Sequence, residues 1–199
     1  MRKVIFATAI AVLFLFALFF QLSCTGESEA KPLTHEEMVA LGKYIVQTGG
    51  CDDCHTPKIF TDKGPVFDTT RSLSGFPAEE VLPEIDMNMI GPGKWTMTDK
   101  HLSAWVGMWG ISYASNITPD KATGIGTMTE EMFVKTIREG KYMGVGRPLL
   151  PPMPWEVLRK KTDQDLKAIY AYLMSIKPIH NQVPQPTPPD KVGELLARQ

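Results

Sequence analysis

The chain has 199 residues, a length that allows one domain or at most two. Lysine and arginine together number 21 and aspartate and glutamate 22, so the formal net charge is −1. No run of basic residues stands out along the chain. Composition and charge therefore exclude nucleic acid as the expected partner.

The amino terminus has the order of an export signal. Two basic residues precede an apolar run over residues 4–20, and a polar stretch follows. We interpret residues 1–23 as a signal peptide or membrane anchor and residues 24–33, which are small and polar, as a flexible tether. The apolar run is at the lower limit of what spans a bilayer, so an uncleaved anchor is an alternative to a cleaved signal. Each version places the domain outside the cytoplasm, in a bacterial periplasm.

Cys24 is a candidate lipid-attachment residue. The stretch Gln21-Leu22-Ser23-Cys24 resembles a bacterial lipoprotein processing site, which is cut before the cysteine and lipidated on its thiol. Gln21 stands where leucine is more usual. We predict a membrane-anchored lipoprotein, and the alternative is an ordinary signal or an anchor in which Cys24 has no role.

The first helix is predicted from Thr34, because Thr34-His35-Glu36-Glu37 has the order of a capping box. Gly49 and Gly50 end this helix. Cys51-Asp52-Asp53-Cys54-His55 follows at once, and two thiols two residues apart with an adjacent imidazole indicate covalent attachment of one c-type haem. Cys51 and Cys54 are then the haem thiols, and His55 is the proximal iron ligand.

Two other readings of this motif are weaker. A disulfide-exchange site is expected within a thioredoxin-like pattern of strand and helix, and the flanking sequence lacks that pattern. A structural zinc site needs four nitrogen or sulfur ligands. The third cysteine, Cys24, is the candidate lipid-attachment residue at the end of the export signal, so it is not expected to complete such a site.

Residues 56–97 are rich in glycine and proline, and we predict a long ordered loop that wraps the haem edge. A second helix is predicted over residues 98–108. The apolar residues at helical spacing there are Leu102, Trp105, Val106 and Trp109.

Two later helices have clear start signals. One is capped at Thr129 and runs to Gly140, and another begins after Thr162 and ends before Pro178. Between them lies a proline-rich, extended strip that contains Met153. Residues 182–199 are predicted to be a proline-rich tail.

Met153 is the predicted distal iron ligand, because its setting between two prolines can hold a thioether in place. His101 is the main competitor. His35 and His180 are further competitors, which we expect at the surface near chain ends. Arg147 is a candidate contact for a haem propionate, and solvation of its side chain is the alternative.

Several motifs together resemble a known family. They are Asn116-Ile-Thr-Pro-Asp-Lys-Ala-Thr-Gly-Ile-Gly126, Pro151-Pro-Met-Pro-Trp155 and Thr162-Asp-Gln-Asp-Leu-Lys-Ala-Ile-Tyr-Ala-Tyr-Leu173. With the haem motif, they look like class I cytochrome c. More closely, they resemble the haem domains of cytochrome c subunits of bacterial membrane-bound dehydrogenases that act on alcohols, aldehydes and sugar acids.

The resemblance implies an all-α, class I cytochrome c fold over residues 34–181, here with a long Gly/Pro-rich loop inserted after the haem turn. It implies that the first and last helices cross and that His55 and Met153 hold the iron. The dehydrogenase subunits usually carry several haem motifs, whereas this sequence contains one.

The expected function is one-electron transfer between redox protein partners, such as a dehydrogenase and an oxidase, without enzymatic turnover by the chain itself. The rival is a haem enzyme or enzyme subunit, peroxidase-like or dehydrogenase-associated, with a labile sixth ligand. That chemistry needs an acid or base beside an open iron position. We find no histidine or glutamate motif for that role in the sequence.

Overall fold

The first helix begins at the capping box expected from the sequence. In the structure, a computed structural model that describes residues 31–198, helix α1 spans His35–Thr48. The Thr34 hydroxyl accepts the Glu37 backbone N–H at 3.2 Å, and the Glu37 carboxylate accepts the Thr34 N–H at 2.7 Å. Gly49 caps the other end of α1, so the residues after it start from a defined position.

A one-turn helix and a β-hairpin come next. Helix α2 spans Cys51–His55 and is entered through Gly50, whose φ of 71° lies in the left-handed region that favours glycine. Strands β1 (Lys58–Thr61) and β2 (Gly64–Phe67) pair in antiparallel register. The hairpin therefore begins within three residues of the haem motif.

A second antiparallel sheet lies further along the chain. Its strands are β3 (Met97–Thr98), β4 (Ala104–Gly107) and β5 (Gly110–Tyr113), in the order β3-β4-β5. A two-residue turn joins β4 to β5, and the two glycines that flank it pair with each other. The predicted helix over residues 98–108 is therefore wrong.

The prediction of an all-α fold is wrong for the same reason, since the described residues contain two antiparallel sheets as well as helices. A short apolar run such as the one in β4 fits a buried strand as well as a helix. The missed hairpin signal was the pair Gly107 and Gly110, which are separated by two residues and lie between apolar segments. The loop predicted over residues 56–97 likewise contains the β1–β2 hairpin and two 3-10 turns.

The later helices agree with their predicted start signals. Helix α3 (Glu130–Glu139) follows its N-cap Thr129. A four-residue helix, α4 (Trp155–Leu158), precedes the long helix α5 (Asp163–Ser175). A capping box at Thr162 starts α5, as predicted.

The larger hydrophobic core lies where α1, α3 and α5 meet, with α1 packed along α5. We call this cluster the helical core. Its buried members are Ile45, Val46, Leu73, Ile125, Met128, Phe133, Ile137, Leu166, Ile169 and Leu173. Complete burial of one such side chain contributes about 1.5–3 kcal/mol to the free energy of folding, so this core holds the helices together.

A smaller core lies on the β3-β4-β5 sheet. Its buried members are Phe76, Leu82, Ala104, Val106, Ile111 and Val192. The backbones of Ile111 and Thr187 exchange two hydrogen bonds of 2.8 and 2.9 Å. Helix α6 (Val192–Leu196) then places Val192 in this core, so the carboxy-terminal segment covers the sheet.

The amino-terminal predictions concern residues that the structure does not describe. The expected signal or anchor over residues 1–23 and the lipid-attachment candidate Cys24 both precede residue 31, where the description begins. Between residues 31 and 198, no helix combines the length and the apolar character needed to cross a bilayer.

Candidate haem-attachment site

The two thiols of the haem motif lie on neighbouring positions of α2, because residues three apart are adjacent on a helix surface. Cys51 and Cys54 are both unpaired and partly exposed. Burial, with a smaller effect of the Asp52 carboxylate, raises the pKa of Cys51 to about 11, and burial also raises the pKa of Cys54. Disulfide-exchange cysteines have a lowered pKa instead. The pair therefore lacks the lowered pKa that is typical of a disulfide-exchange site.

His55 has the tautomer that a metal ligand needs. Its ring Nδ1 lies 2.7 Å from the carbonyl oxygen of Ser115. A carbonyl oxygen only accepts hydrogen bonds, so Nδ1 carries the ring proton and Nε2 keeps its lone pair. The ring is buried, and burial lowers the pKa of His55, which favours the neutral form. Neutral imidazole with a free Nε2 lone pair is the form that binds iron.

His101, the main competitor as a ligand, has the opposite tautomer. Its Nδ1 accepts the backbone N–H of Lys58 at 3.0 Å, so the ring proton is on Nε2. That Nε2 is buried and has no hydrogen-bond partner among the described residues, with the Glu80 carboxylate 3.7 Å away. A protonated Nε2 has no lone pair to give a metal. The structure therefore argues against His101 as an axial ligand.

The haem motif is anchored from its carboxyl end by Thr56. The Thr56 side chain is fully buried and donates to the Asp52 carboxylate at 2.7 Å. The same hydroxyl accepts the backbone N–H of Leu73 at 2.9 Å. One side chain thus joins α2 to the segment after the first hairpin.

Lys58 supports the same end of α2 with a buried ammonium group. Its Nζ donates to the carbonyl oxygens of Thr56 at 3.1 Å and His101 at 2.7 Å, and it also contacts the carbonyl of Asp53. A positive charge beside the carboxyl end of a helix is favourable. Burial lowers the pKa of Lys58, and the three carbonyl partners compensate for part of that desolvation.

Met153 lies on the irregular backbone between α3 and α4. Its carbonyl accepts the Trp155 N–H at 2.9 Å, and its own N–H donates to Leu150 at 3.2 Å. The preceding Pro151–Pro152 peptide bond is cis. The Met153 side chain is partly buried against the helical core, and the Cys51 side chain packs against the same core. A thiol of the haem motif and the predicted distal thioether thus border one apolar cluster.

A second thioether, Met143, also packs against the helical core. Its φ of 53° is unusual for a residue other than glycine. The residues next to Met143 include no prolines that would hold it in place, so its sequence context does not distinguish it from the other methionines. Met143 is therefore a competitor of Met153 that only the tertiary structure reveals.

The remaining candidate residues lie at the surface. Arg147 is exposed, its guanidinium is 5.7 Å from the centre of the Tyr142 ring, and it donates to the Pro148 carbonyl at 3.3 Å. His35 and His180 are exposed, as expected. The Nδ1 of His180 is 3.7 Å from the Asp120 carboxylate.

These residues fit a c-type haem in the chemistry of the groups that they present. Two unpaired thiols precede an imidazole whose Nε2 is free to coordinate, and a partly buried thioether borders the same core. The Ser115 carbonyl that orients His55 was missed from sequence, since every residue type supplies a carbonyl. Only its position, 60 residues after His55, gives it a role.

Comparison with known proteins agrees with the motif-based resemblance. No family model matches the chain. Its homologues are cytochrome c subunits of bacterial dehydrogenases, so the predicted resemblance to this class is confirmed.

Three of these relatives illustrate the similarity. The fructose dehydrogenase cytochrome subunit of Gluconobacter japonicus is 42% identical over 77 residues, which are 38% of this chain and 16% of the relative. The gluconate 2-dehydrogenase cytochrome c subunit of Pantoea cypripedii is 31% identical over 140 residues, 70% of this chain and 23% of the relative. The cytochrome c subunit of the quinone alcohol dehydrogenase of Gluconobacter oxydans (strain 621H) is 39% identical over 71 residues, 35% of this chain and 15% of the relative. The chain thus spans less than a quarter of the length of each.

Proposed function

We propose that the chain is a mono-haem c-type cytochrome that transfers single electrons between redox proteins and does not itself catalyse substrate turnover. The hydrogen bond from His55 to Ser115 carries the proposal, because it leaves Nε2 available directly after two unpaired thiols. The homologues add support. Their names identify them as cytochrome c subunits, which implies haem c and electron transfer.

Each residue has a distinct role in this proposal. The thiols of Cys51 and Cys54 would hold a haem through two thioether bonds, each formed by addition of S–H across one vinyl group with no net oxidation. His55 Nε2 and the Met153 sulfur would be the two protein ligands of its iron. Bound there, haem supplies a one-electron iron couple, and a thioether ligand favours the ferrous state.

The surroundings of the site suit electron transfer. The His55 ring is held by a main-chain carbonyl, so its orientation does not depend on a mobile side chain. The side chains of Cys51 and Met153 both pack against the helical core, which gives that side of the site an apolar boundary. His55 and Met153 both lie on backbone that is held by hydrogen bonds, so as iron ligands they would leave little reorganisation to oppose electron transfer.

The location and partners follow from the amino terminus and the homologues. We propose export to the periplasm and attachment to the membrane through a lipid on Cys24 or through an uncleaved anchor. The relatives are named as subunits of dehydrogenases, so a dehydrogenase is the proposed electron donor. Arg147 is a proposed contact for a haem propionate, because its exposed guanidinium has no carboxylate partner among residues 31–198.

Haem attachment is tested in a bacterial strain that can mature c-type cytochromes. The wild-type chain should be coloured and should gain the mass of one haem that denaturation does not release. The double variant C51S/C54S should lose this mass. The matched control C24S removes the third cysteine and should keep the haem. Loss of membrane retention in C24S would assign the attachment to a lipid on Cys24, and unchanged retention would assign it to an uncleaved anchor. Wild-type protein that stays colourless would refute the proposal.

Spectroscopy separates an electron carrier from a haem enzyme. We expect low-spin iron in both oxidation states and no binding of carbon monoxide or cyanide to the native protein. Rapid ligand binding would show an open or labile sixth position and would favour the enzymatic rival. Reduction by a purified sugar-acid or alcohol dehydrogenase, followed by stopped-flow absorbance, then tests the proposed donor.

A further inference from the structure

The segment 73–76 lies between the haem motif and the segment that carries Ser115. The N–H of Gly75 donates to the carbonyl of His55 at 2.7 Å, and the N–H of Phe76 donates to the carbonyl of Ala114 at 2.9 Å. The ring of His55 in turn donates to the Ser115 carbonyl. His55 is thus bound through its main chain by one segment and through its ring by the other.

Gly75 is the point where these two segments come closest. It is buried, with a φ of 84°. A Cβ atom at this position would lie 2.6 Å from the carbonyl carbon of Ser115 and 2.7 Å from its oxygen, and closer still to the oxygen of Ala114. These are main-chain atoms, so no side chain can rotate away to make space.

We propose that Gly75 is a positioning residue for the axial histidine, and that its missing side chain sets the strength of the hydrogen bond from His55 to Ser115. This inference rests on the proposed function, since it concerns the histidine that would bind the iron. A carbon atom and an oxygen atom in ordinary contact are about 3.5 Å apart, so a methyl group at residue 75 displaces the Ser115 carbonyl by roughly 1 Å. A shift of that size is larger than the spread of normal hydrogen-bond lengths, so the bond that is now at 2.7 Å would be distorted or lost.

The consequence for the iron follows from the charge on the ring. A hydrogen bond from Nδ1–H to a carbonyl makes the imidazole a stronger electron donor through Nε2. Stronger donation stabilises the ferric state more than the ferrous state. Loss of this hydrogen bond therefore raises the midpoint potential, and the Nδ1 proton becomes more accessible to solvent.

The test compares G75A with G93A in the haem-loaded, full-length protein. Gly93 has a φ of 72° and no atom within 4 Å of its would-be Cβ, so G93A has the same backbone strain without the displacement. In G75A we expect a higher midpoint potential and exchange of the His55 Nδ1 proton, followed by paramagnetic NMR, that is about tenfold faster, the factor for loss of one net hydrogen bond. G93A should match the wild type. S115A should also match it, because the acceptor is the main-chain carbonyl.

A second variant keeps the proposal testable where G75A does not mature. The side chain of Asn181 holds the carbonyls of Ser74 and Phe76 at 2.7 and 2.8 Å, on either side of Gly75. N181A loosens this segment without adding atoms and should raise the potential in the same direction. If G75A or N181A carries haem and yet has the midpoint potential and proton exchange rate of G93A, that result would overturn the role of Gly75 and leave the proposed function intact. Wild-type protein without haem would overturn both this role and the proposed function.

Discussion

The Cα atom of Gly42 in α1 lies against the main-chain carbonyl of Ala168 in α5. A Cβ atom on residue 42 would be 2.5 Å from the carbonyl carbon of Ala168 and nearer still to its oxygen. It would also be 2.8 Å from the Cβ of Tyr172. The two longest helices therefore approach each other at a position that only glycine can occupy.

The variant G42A should destabilise the domain. Its methyl group meets main-chain atoms of α5, so the helices must move apart, and overpacking of this kind lowers the free energy of unfolding by roughly 1–3 kcal/mol. Chemical denaturation of the haem-loaded protein measures the effect. The control G193A lies in α6 with no atom within 4 Å of the added carbon, and it should be neutral or more stable by at most about 1 kcal/mol. Equal stability of the two variants would contradict close packing at Gly42.

Two methionine variants test which thioether is the distal iron ligand that we propose. M153A should lose the absorption band of a thioether bound to ferric iron, acquire carbon monoxide binding, and lower its midpoint potential, because a ligand that favours ferrous iron has been removed. M143A should retain all three wild-type properties, although Met143 packs against the same helical core. The reverse result would assign the iron ligand to Met143.

The acid stability of the domain should depend on Asp68. This carboxylate is buried, and it accepts from the Thr70 hydroxyl at 2.5 Å and from the Arg71 guanidinium at 2.7 Å. Hydrogen bonds from Thr70, and after them the Arg71 partner, hold the pKa of Asp68 below its ordinary value of 3.8. The stabilisation is present above this ordinary value and is lost as the pH falls through the lower pKa of the folded state.

We therefore expect D68N to have a lower free energy of unfolding at pH 7, by about 1–2 kcal/mol. The difference in free energy of unfolding between D68N and the wild type should shrink as the pH falls below 3.8, the ordinary pKa of the carboxyl group. Urea denaturation over a series of pH values gives both quantities. The control D62N changes an exposed residue of the first hairpin turn and should leave the curve unchanged. A difference that stays constant down to pH 2 would contradict the lowered pKa of Asp68.

Asn181 should stabilise the segment that faces the haem motif. Besides its two bonds to Ser74 and Phe76, its side-chain oxygen accepts the N–H of Ala78 at 3.1 Å. N181A leaves these partly buried groups unpaired, and we expect a loss of roughly 2 kcal/mol in the free energy of unfolding. The control N88A removes an exposed amide whose side chain makes no hydrogen bond within the described part of the chain, and its effect should be close to zero. Similar denaturation midpoints for both variants would exclude this role.

Local signals in the sequence predicted where the three longest helices begin. Thr34 and Thr162 form the expected capping boxes, and Thr129 caps α3. These signals succeed because a cap and its partner are three residues apart, so their geometry depends on few other residues. The sheet over residues 97–113 was missed, since a short apolar run has the same pattern in a helix and in a strand. Pairing between strands is decided by tertiary contacts.

Around the haem motif, too, the sequence predicted some features and left others to the tertiary structure. Cys51, Cys54 and His55 lie within five consecutive residues, so the sequence alone indicates the candidate attachment chemistry. The tautomer of His55 cannot be predicted from sequence, because it depends on a carbonyl 60 residues away. From sequence, His101 was the main competitor of Met153, and only the position of its Nδ1 beside the N–H of Lys58 argues against it as an iron ligand.

The amino-acid sequence by itself determined the candidate attachment motif, the starts of the three longest helices and the resemblance to cytochrome c subunits, since each of these depends on residue types at short, constant spacing. The tertiary structure alone decided which carbonyl faces His55, which thioethers border the helical core, and why residues 42 and 75 must lack a side chain. Those properties arise where segments far apart in the chain meet, and close packing there depends on the exact distance between main chains.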